Sequence, residues 1–362
     1  MDFNLTDDRR MLSDMLRRFF REDYGIEERN QVAYNAPFHS TNKWAKLAEL
    51  GILGALVGED AGGYGGDAFD ITVIFEEIGR GLCPEPMLGT LMALKALETI
   101  GANAAIEAII SGDKKAALAV YEVDAFSTLD DIQTQATKSG DGWTLNGRKS
   151  IIYGGASADV ALVAARHGNG IGLFEVTDFS RTAYAMIDGG GAAEFLLDET
   201  PAICLSETAE EPIEAVLDWG RLALCAEAVG AMDWLHATTV DYLKQRVQFG
   251  RPIATFQALQ HRIVDLGIEI EQARSITILA ASEMTTPARA KHVAMAKNLV
   301  GRAATLVAEE CIQMHGGIGM TWEYAGSHYA KRLVMLDHQL GDKDDHTHRL
   351  MEMASASQEK AA

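Results

Sequence analysis

Basic residues are short in this chain: 32 Lys and Arg stand against 52 Asp and Glu, a formal charge of −20. No Lys/Arg stripe is present to neutralise a phosphate backbone, which excludes nucleic acid as a partner. Cysteine is scarce too. Cys83, Cys204, Cys225 and Cys311 are far apart, with no CxxC pair. They offer neither a disulfide frame nor a zinc site, and they fit the buried thiols of a cytoplasmic protein. Long apolar runs are missing: none approaches the roughly 20 residues that a bilayer crossing takes. The start, Met1-Asp-Phe-Asn-Leu5, has no basic segment ahead of an apolar one and is not read as a secretory signal. No histidine spacing makes a metal site, and there are no internal repeats. What is present is apolar content ample for a large core, in a length suited to two or three domains.

Up to about Ser111 the apolar residues recur at helical spacing. Thr6 can cap a first helix carrying Met11, Met15, Leu16, Phe19 and Phe20. Trp44, Leu47 and Leu50 mark a second, closed by Gly51. Ile71, Ile74, Ile78 and Leu82 mark a third, ended by Pro84 and Pro86. The loop Gly58–Gly66 between them is too rich in glycine for helix. No strand precedes it and no Gly-Lys-Ser/Thr follows, so it is not a phosphate-binding loop. From about Ala116 to Leu205 the period falls to two, and strands are expected at Ala116–Val123, Trp143–Leu145, Lys149–Tyr153, Val160–Ala165, Gly172–Val176 and Glu194–Leu197. Asn146-Gly147 reads as a type I′ hairpin turn. From Glu211 long amphipathic helices return, with the three-and-four spacing that bundle helices use to bury a stripe. The end, Ala354–Ala362, is small and polar and is expected to fray.

Two segments interrupt those last helices. In Arg246-Val-Gln-Phe-Gly-Arg-Pro-Ile-Ala-Thr-Phe-Gln257, Gly250 and Pro252 stop a helix near Phe249, and Thr255 is a candidate N-cap for the next. In Gln313-Met-His-Gly-Gly-Ile-Gly319, a helix ends in glycines whose bare backbone can lie against a ligand. An arginine, a free helix N-terminus and glycine backbone together suit a diphosphate.

These two segments resemble the carboxy-terminal half of the acyl-CoA dehydrogenases, flavoproteins that desaturate acyl-CoA thioesters. The Gly58–Gly66 loop resembles one in their amino-terminal domain. The resemblance implies an α+β fold: a helical domain over 1–115, a middle antiparallel β-domain over 116–208, and a four-helix bundle over 209–362. It implies FAD as cofactor, with Arg246, Phe249, Gln257, Gln313, Gly316 and Gly317 meeting its adenosine diphosphate across a subunit interface. It also implies an acyl-CoA substrate, an electron-transfer flavoprotein or other electron acceptor, and a homo- or hetero-oligomer.

The chain departs from the family's pattern where the chemistry would sit. The family's catalytic Glu falls on Leu340-Gly341-Asp342, so Asp342 is the candidate base; a solvated, helix-capping role for Asp342, Asp344 and Asp345 is the alternative. A second family address for that Glu falls on Gly220, just before Arg221. Asp218 and Glu227 point elsewhere on that helix. The loop that covers flavin and thioester becomes Tyr121–Asp130, without Pro or Gly. The flavin-contacting Trp and Thr become Ile151 and Tyr153; the Tyr153 hydroxyl is a candidate hydrogen-bond donor to the cofactor, with an ordinary strand residue as the alternative. The site offered to a neighbour's flavin is thus retained, while the chain's own is eroded. This pattern suggests one subunit of a heteromeric enzyme, like bacterial dehydrogenases of steroid side-chain CoA thioesters. A silent subunit completing a paralogue's site, and an acyl-CoA oxidase or nitroalkane oxidase-like flavoenzyme, are the alternatives.

Overall fold

The structure is a computed structural model that describes residues 5–124, 128–140 and 142–359. Helices α1 (Asp7–Asp23), α2 (Ile26–Ala33), α3 (Thr41–Glu49), α4 (Ala68–Gly81), α5 (Met87–Thr99) and α6 (Ile106–Ile110) come first. Strands follow: β1 (Ala116–Ala119), β2 (Gln135–Ser139), β3 (Gly142–Tyr153), β4 (Val160–His167), β5 (Gly170–Val176), β6 (Ser180–Ala185) and β7 (Gly191–Ser206). Then come α7 (Glu210–Gln245), a hairpin of β8 (Val247–Gln248) and β9 (Arg251–Pro252), α8 (Gln257–Ser282), α9 (Arg289–His315), α10 (Ala325–His338) and α11 (Lys343–Glu359). The order of helices, strands and helices is the one expected. The chain divides into two compact units, Met1–Ile26 with Thr72–Cys83 and Arg221–Ala362, and Glu27–Ile71 with Pro84–Gly220.

The first unit is helical. Thr6 caps α1 as expected, its hydroxyl accepting from the Arg9 N–H, and Leu16, Phe19 and Phe20 form the buried face. The crossing of α4 and α7 depends on two glycines. A Cβ on Gly79 would lie 1.9 Å from the Glu227 carbonyl oxygen, and one on Gly230 would lie 1.8 Å from that of Glu76. Beside the crossing, Arg80 and Arg274 each pair with both Glu76 and Asp233. Helix α9 packs on α8, α10 and α11, and Trp234 of α7 stacks on Tyr329 of α10 with ring centroids 3.8 Å apart. Helix α11 continues through Glu359; of the segment 354–362 expected to fray, residues 360–362 lie outside those described. Its segment still makes turn-to-turn bonds, such as that from the Ser355 hydroxyl to the Met351 carbonyl.

The second unit holds the sheet, in order β1-β4-β2-β3-β7-β5, with β6 on β7. Because β5 bonds both β7 and β4, the pairings close on themselves around Trp143, Leu145, Val163, Phe174, Phe195 and Leu197. Pairing is antiparallel except for β1 beside β4 and one residue pair of β2 with β4. Asn146-Gly147 is not a hairpin turn, a correction to the sequence reading. It is an irregularity inside the single strand β3, where Gly147 has φ +154° and a Cβ would lie 2.5 Å from the Thr134 hydroxyl. The positive φ is real, but it serves a close approach between strands. The hairpin lies instead between β2 and β3.

Helix α5 is buried on every side from Met87 to Leu97. Within it, Lys95 donates to the Gly66 carbonyl and to Glu98, while Glu98 accepts the Gly58 N–H. One Lys–Glu pair thereby ties down both ends of the glycine-rich loop. Among the described residues, no helix is long and apolar enough to cross a membrane.

Candidate cofactor and substrate site

Helix α7 stops at Gln245, and the Arg246 N–H still reaches back to the Tyr242 carbonyl. The chain then reverses through Phe249 (φ +52°) and Gly250 (φ +76°), both left-handed as a two-residue hairpin turn requires. Phe249 is a large side chain in a conformation that glycine prefers, and it is 90% exposed. Pro252 does not restart the helix directly. The Thr255 hydroxyl donates to the Pro252 carbonyl, and Phe256 holds the N-cap position with no side-chain cap. The expectation of a Thr255 cap is therefore corrected. Its consequence favours a ligand: the first turn of α8, opening with exposed Gln257, presents N–H groups that no side chain covers.

Helix α9 ends at His315, and its three glycines differ in role. Gly316 takes φ +70°, and a Cβ on Gly316 or Gly317 would meet nothing within 4 Å. That backbone is open and exposed. Gly319 is packed, with a Cβ 3.0 Å from that of His315. Gln313 is exposed on the last turn. The two helix ends are joined: the Tyr242 hydroxyl donates to the His315 carbonyl at 3.3 Å, and the two rings stack at 4.4 Å. Arg246, Phe249 and Gln257 thus share one end of the bundle with Gln313, Gly316 and Gly317.

Asp342 is the N-cap of α11. Its Oδ1 accepts the N–H groups of Asp344 at 2.8 Å and Asp345 at 2.9 Å, and Asp345 accepts the Asp342 N–H in return. Those backbone bonds hold its carboxyl below the usual aspartate range. Beside it Leu340 is buried with φ +58°. Arg221 and His346 both donate to the Leu340 carbonyl. Lys297, itself buried, donates to the carbonyls of Leu336, Asp337 and Gln339, and burial pulls its ammonium down to about 8. The loop is pinned from three sides. Glu227 is buried and committed to Arg332 at 2.6 and 2.8 Å.

Tyr153 belongs to the other unit, half-buried at the end of β3; a Cβ on Gly89 of α5 would lie 2.2 Å from its carbonyl oxygen. Ile151, expected from the sequence to stand where the family has its Trp, has φ +53° at a register shift and is 37% exposed. In the loop Tyr121–Asp130, residues 125–127 lie outside those described. Sequence reading missed the buried pair behind that loop. Lys149 donates to Glu122 at 2.8 Å and to the Val120 carbonyl, and Glu122 also accepts from Gln133 and Thr134. Lys297, a charge interrupting the apolar run Val293–Val300, was an available signal for the other buried lysine; Lys149, in the polar stretch Asn146-Gly-Arg-Lys-Ser150, gave none.

The description "Acyl-CoA dehydrogenase, N-terminal domain" matches residues 6–111, and "Acyl-CoA dehydrogenase, C-terminal domain" matches residues 211–341. The chain belongs to the acyl-CoA dehydrogenase family, a family of oxidoreductases. Acyl-CoA dehydrogenase IpdE2 of Mycobacterium tuberculosis is 33% identical over 291 residues, covering 80% of this chain and 79% of that protein. A variant of the Tcur3481-Tcur3483 steroid acyl-CoA dehydrogenase is 28% identical with a TM-score of 0.88, covering 97% of this chain and 98% of that one. The ChsE4-ChsE5 complex from Mycobacterium tuberculosis gives a TM-score of 0.89 at 22% identity, over 98% of this chain and 99% of that one, a likeness of fold alone.

Proposed function

We propose that this chain is one subunit of a heteromeric, FAD-dependent acyl-CoA dehydrogenase, completing a dinucleotide site whose catalytic carboxylate sits on a related partner. One contrast carries the reading. The Arg246 and Gly316–Gly317 end of the bundle is open and exposed, while the loop at the family's base position is filled by buried Leu340 and a capping Asp342.

The residues fit the cofactor's tail. Arg246 would meet the diphosphate with the planar, forked N–H donors of its guanidinium, and Gln257 at the uncapped start of α8 would add N–H donors. Gly316 and Gly317 leave room for close backbone approach, and Gln313 and Phe249 flank it. When bound, FAD supplies the two-electron acceptor for the β-hydrogen. Removing the proton α to the thioester needs a carboxylate with a free oxygen and a pKa not far below the working pH. Asp342 fits that role poorly, since its Oδ1 is engaged by two backbone N–H groups and its carboxyl is held low.

The Tcur3481-Tcur3483 likeness supports a steroid-type acyl-CoA as substrate class. Electrons would pass to an electron-transfer flavoprotein or another acceptor. The test is expression alone and with paralogous chains, counting FAD per assembly and following acyl-CoA oxidation. Flavin loading and turnover are expected only for a mixed assembly. Full loading and turnover by this chain alone would overturn the heteromeric reading.

A further inference from the structure

We propose that Tyr242, His315 and Tyr324 are positioning residues for the dinucleotide cradle, setting the distance between the Arg246 turn and the Gly316–Gly317 backbone. This rests on the FAD reading above. His315 is buried at the last position of α9. Its Nδ1 lies 2.8 Å from the Cys311 carbonyl, which can only accept, so Nδ1 carries the proton. Nε2 is then an acceptor, and the Tyr324 hydroxyl donates to it. Burial favours the neutral imidazole and pushes the Tyr324 phenol upward, so this arrangement holds at neutral pH. The His315 carbonyl, one of the last four of α9 with no intrahelical partner, accepts from Tyr242.

Each bond fixes something the cradle needs. The Tyr242 bond orients the peptide plane joining His315 to Gly316, whose N–H closes α9 on the Ile312 and Gln313 carbonyls, and so fixes where the open Gly316–Gly317 backbone leaves the helix. Tyr242 lies four residues before Arg246 and accepts its N–H at 2.8 Å. The Tyr324 bond, with its ring 4.7 Å from His315, holds the imidazole against Tyr242. Gly319, tight against His315, leaves the loop no room to slide. A cradle made from two chain segments 73 positions apart needs such a joint, because neither helix end alone sets their separation.

The test uses the flavin-stripped full assembly titrated with FAD, with thermal midpoint and KM for acyl-CoA measured alongside. Tyr324→Phe removes one hydroxyl and keeps the ring; it is expected to weaken FAD binding about tenfold, or about 1.4 kcal/mol, the scale of one hydrogen bond. KM for acyl-CoA should be unchanged. In an Arg246→Ala background the same change should have little further effect, because the arginine whose placement it controls is gone. His315→Phe should match Tyr324→Phe or exceed it, and if it does not fold, Tyr324→Phe decides. Wild-type affinity in Tyr324→Phe, or full additivity with Arg246→Ala, would overturn the positioning role and leave the FAD reading standing. A wild-type assembly that binds no FAD would overturn both.

Discussion

His346 offers a way to measure how firmly the loop at the family's base position is locked. Its imidazole is 2% exposed and faces Arg221, Lys297 and Arg349, all cationic. Burial, reinforced by those charges, lowers its pKa to about 3. The unfolded chain should titrate near 6.5. Between these values the unfolded state binds more protons, so stability is fully present above about pH 6.5 and is lost as pH falls through that window. At pH 5 the unfolded imidazole is almost wholly protonated and the folded one is not, a loss of about 2 kcal/mol relative to pH 7, approaching about 5 kcal/mol below pH 3. His346→Gln keeps an amide donor for the Leu340 carbonyl and removes the titration. Urea unfolding of both proteins at pH 7 and pH 5 should show the wild type losing about 2 kcal/mol more than the variant. Equal losses would refute the assignment of a buried, neutral His346.

Asp342→Asn should keep the α11 cap and leave turnover of the assembly unchanged, whereas Asp342→Ala should cost about 1 kcal/mol of stability. Loss of turnover in Asp342→Asn with flavin still bound would make this aspartate the base. Gly230→Ala forces a methyl to within 1.8 Å of the Glu76 carbonyl oxygen, so helices α4 and α7 must part. A loss of more than about 3 kcal/mol, or no soluble protein, is expected on expression and thermal melting. Glu122→Gln strips the buried Lys149 of its counter-charge and should cost about 3 to 5 kcal/mol in urea unfolding, while Lys149→Met with Glu122→Leu should recover much of it.

The fold was legible where burial is one-sided. Helices α1, α3, α8 and α9 each bury a stripe, and that stripe appears in sequence as three-and-four spacing. Helix α5 has no such stripe, because it is covered all round from Met87 to Leu97. Strands were harder. Asn146-Gly147 carries a true local preference for positive φ, but Thr134, brought alongside by the β2–β3 pairing, decides what that preference is used for. Strands β2 and β6 are mostly exposed along their length and left no alternation to read. Thr255 failed as a cap because it stands one residue too early: it ends a short 3-10 turn, Ile253–Thr255, and Phe256 takes the N-cap position of α8.

The candidate site divides along the same line between local and long-range causes. Arg246, Phe249, Gly250, Gly316 and Gly317 were legible because each breaks a helix, and a break is a local event that a few residues enforce. The joint between the breaks was not, since Tyr242, His315 and Tyr324 meet only after three helices have packed. The base loop shows the opposite case. Asp-Lys-Asp-Asp at Asp342–Asp345 has the spacing of a capping box, and that local chemistry prevailed over the catalytic role suggested by its place in the chain. Lys297, Arg221 and His346 then hold the same loop by its carbonyls, so replacing Asp342 with a longer carboxylate would leave the loop's backbone fixed and Leu340 buried beside it. A carboxylate put at Leu340 instead would bury a charge in an apolar position, 2% exposed, with the desolvation cost that entails.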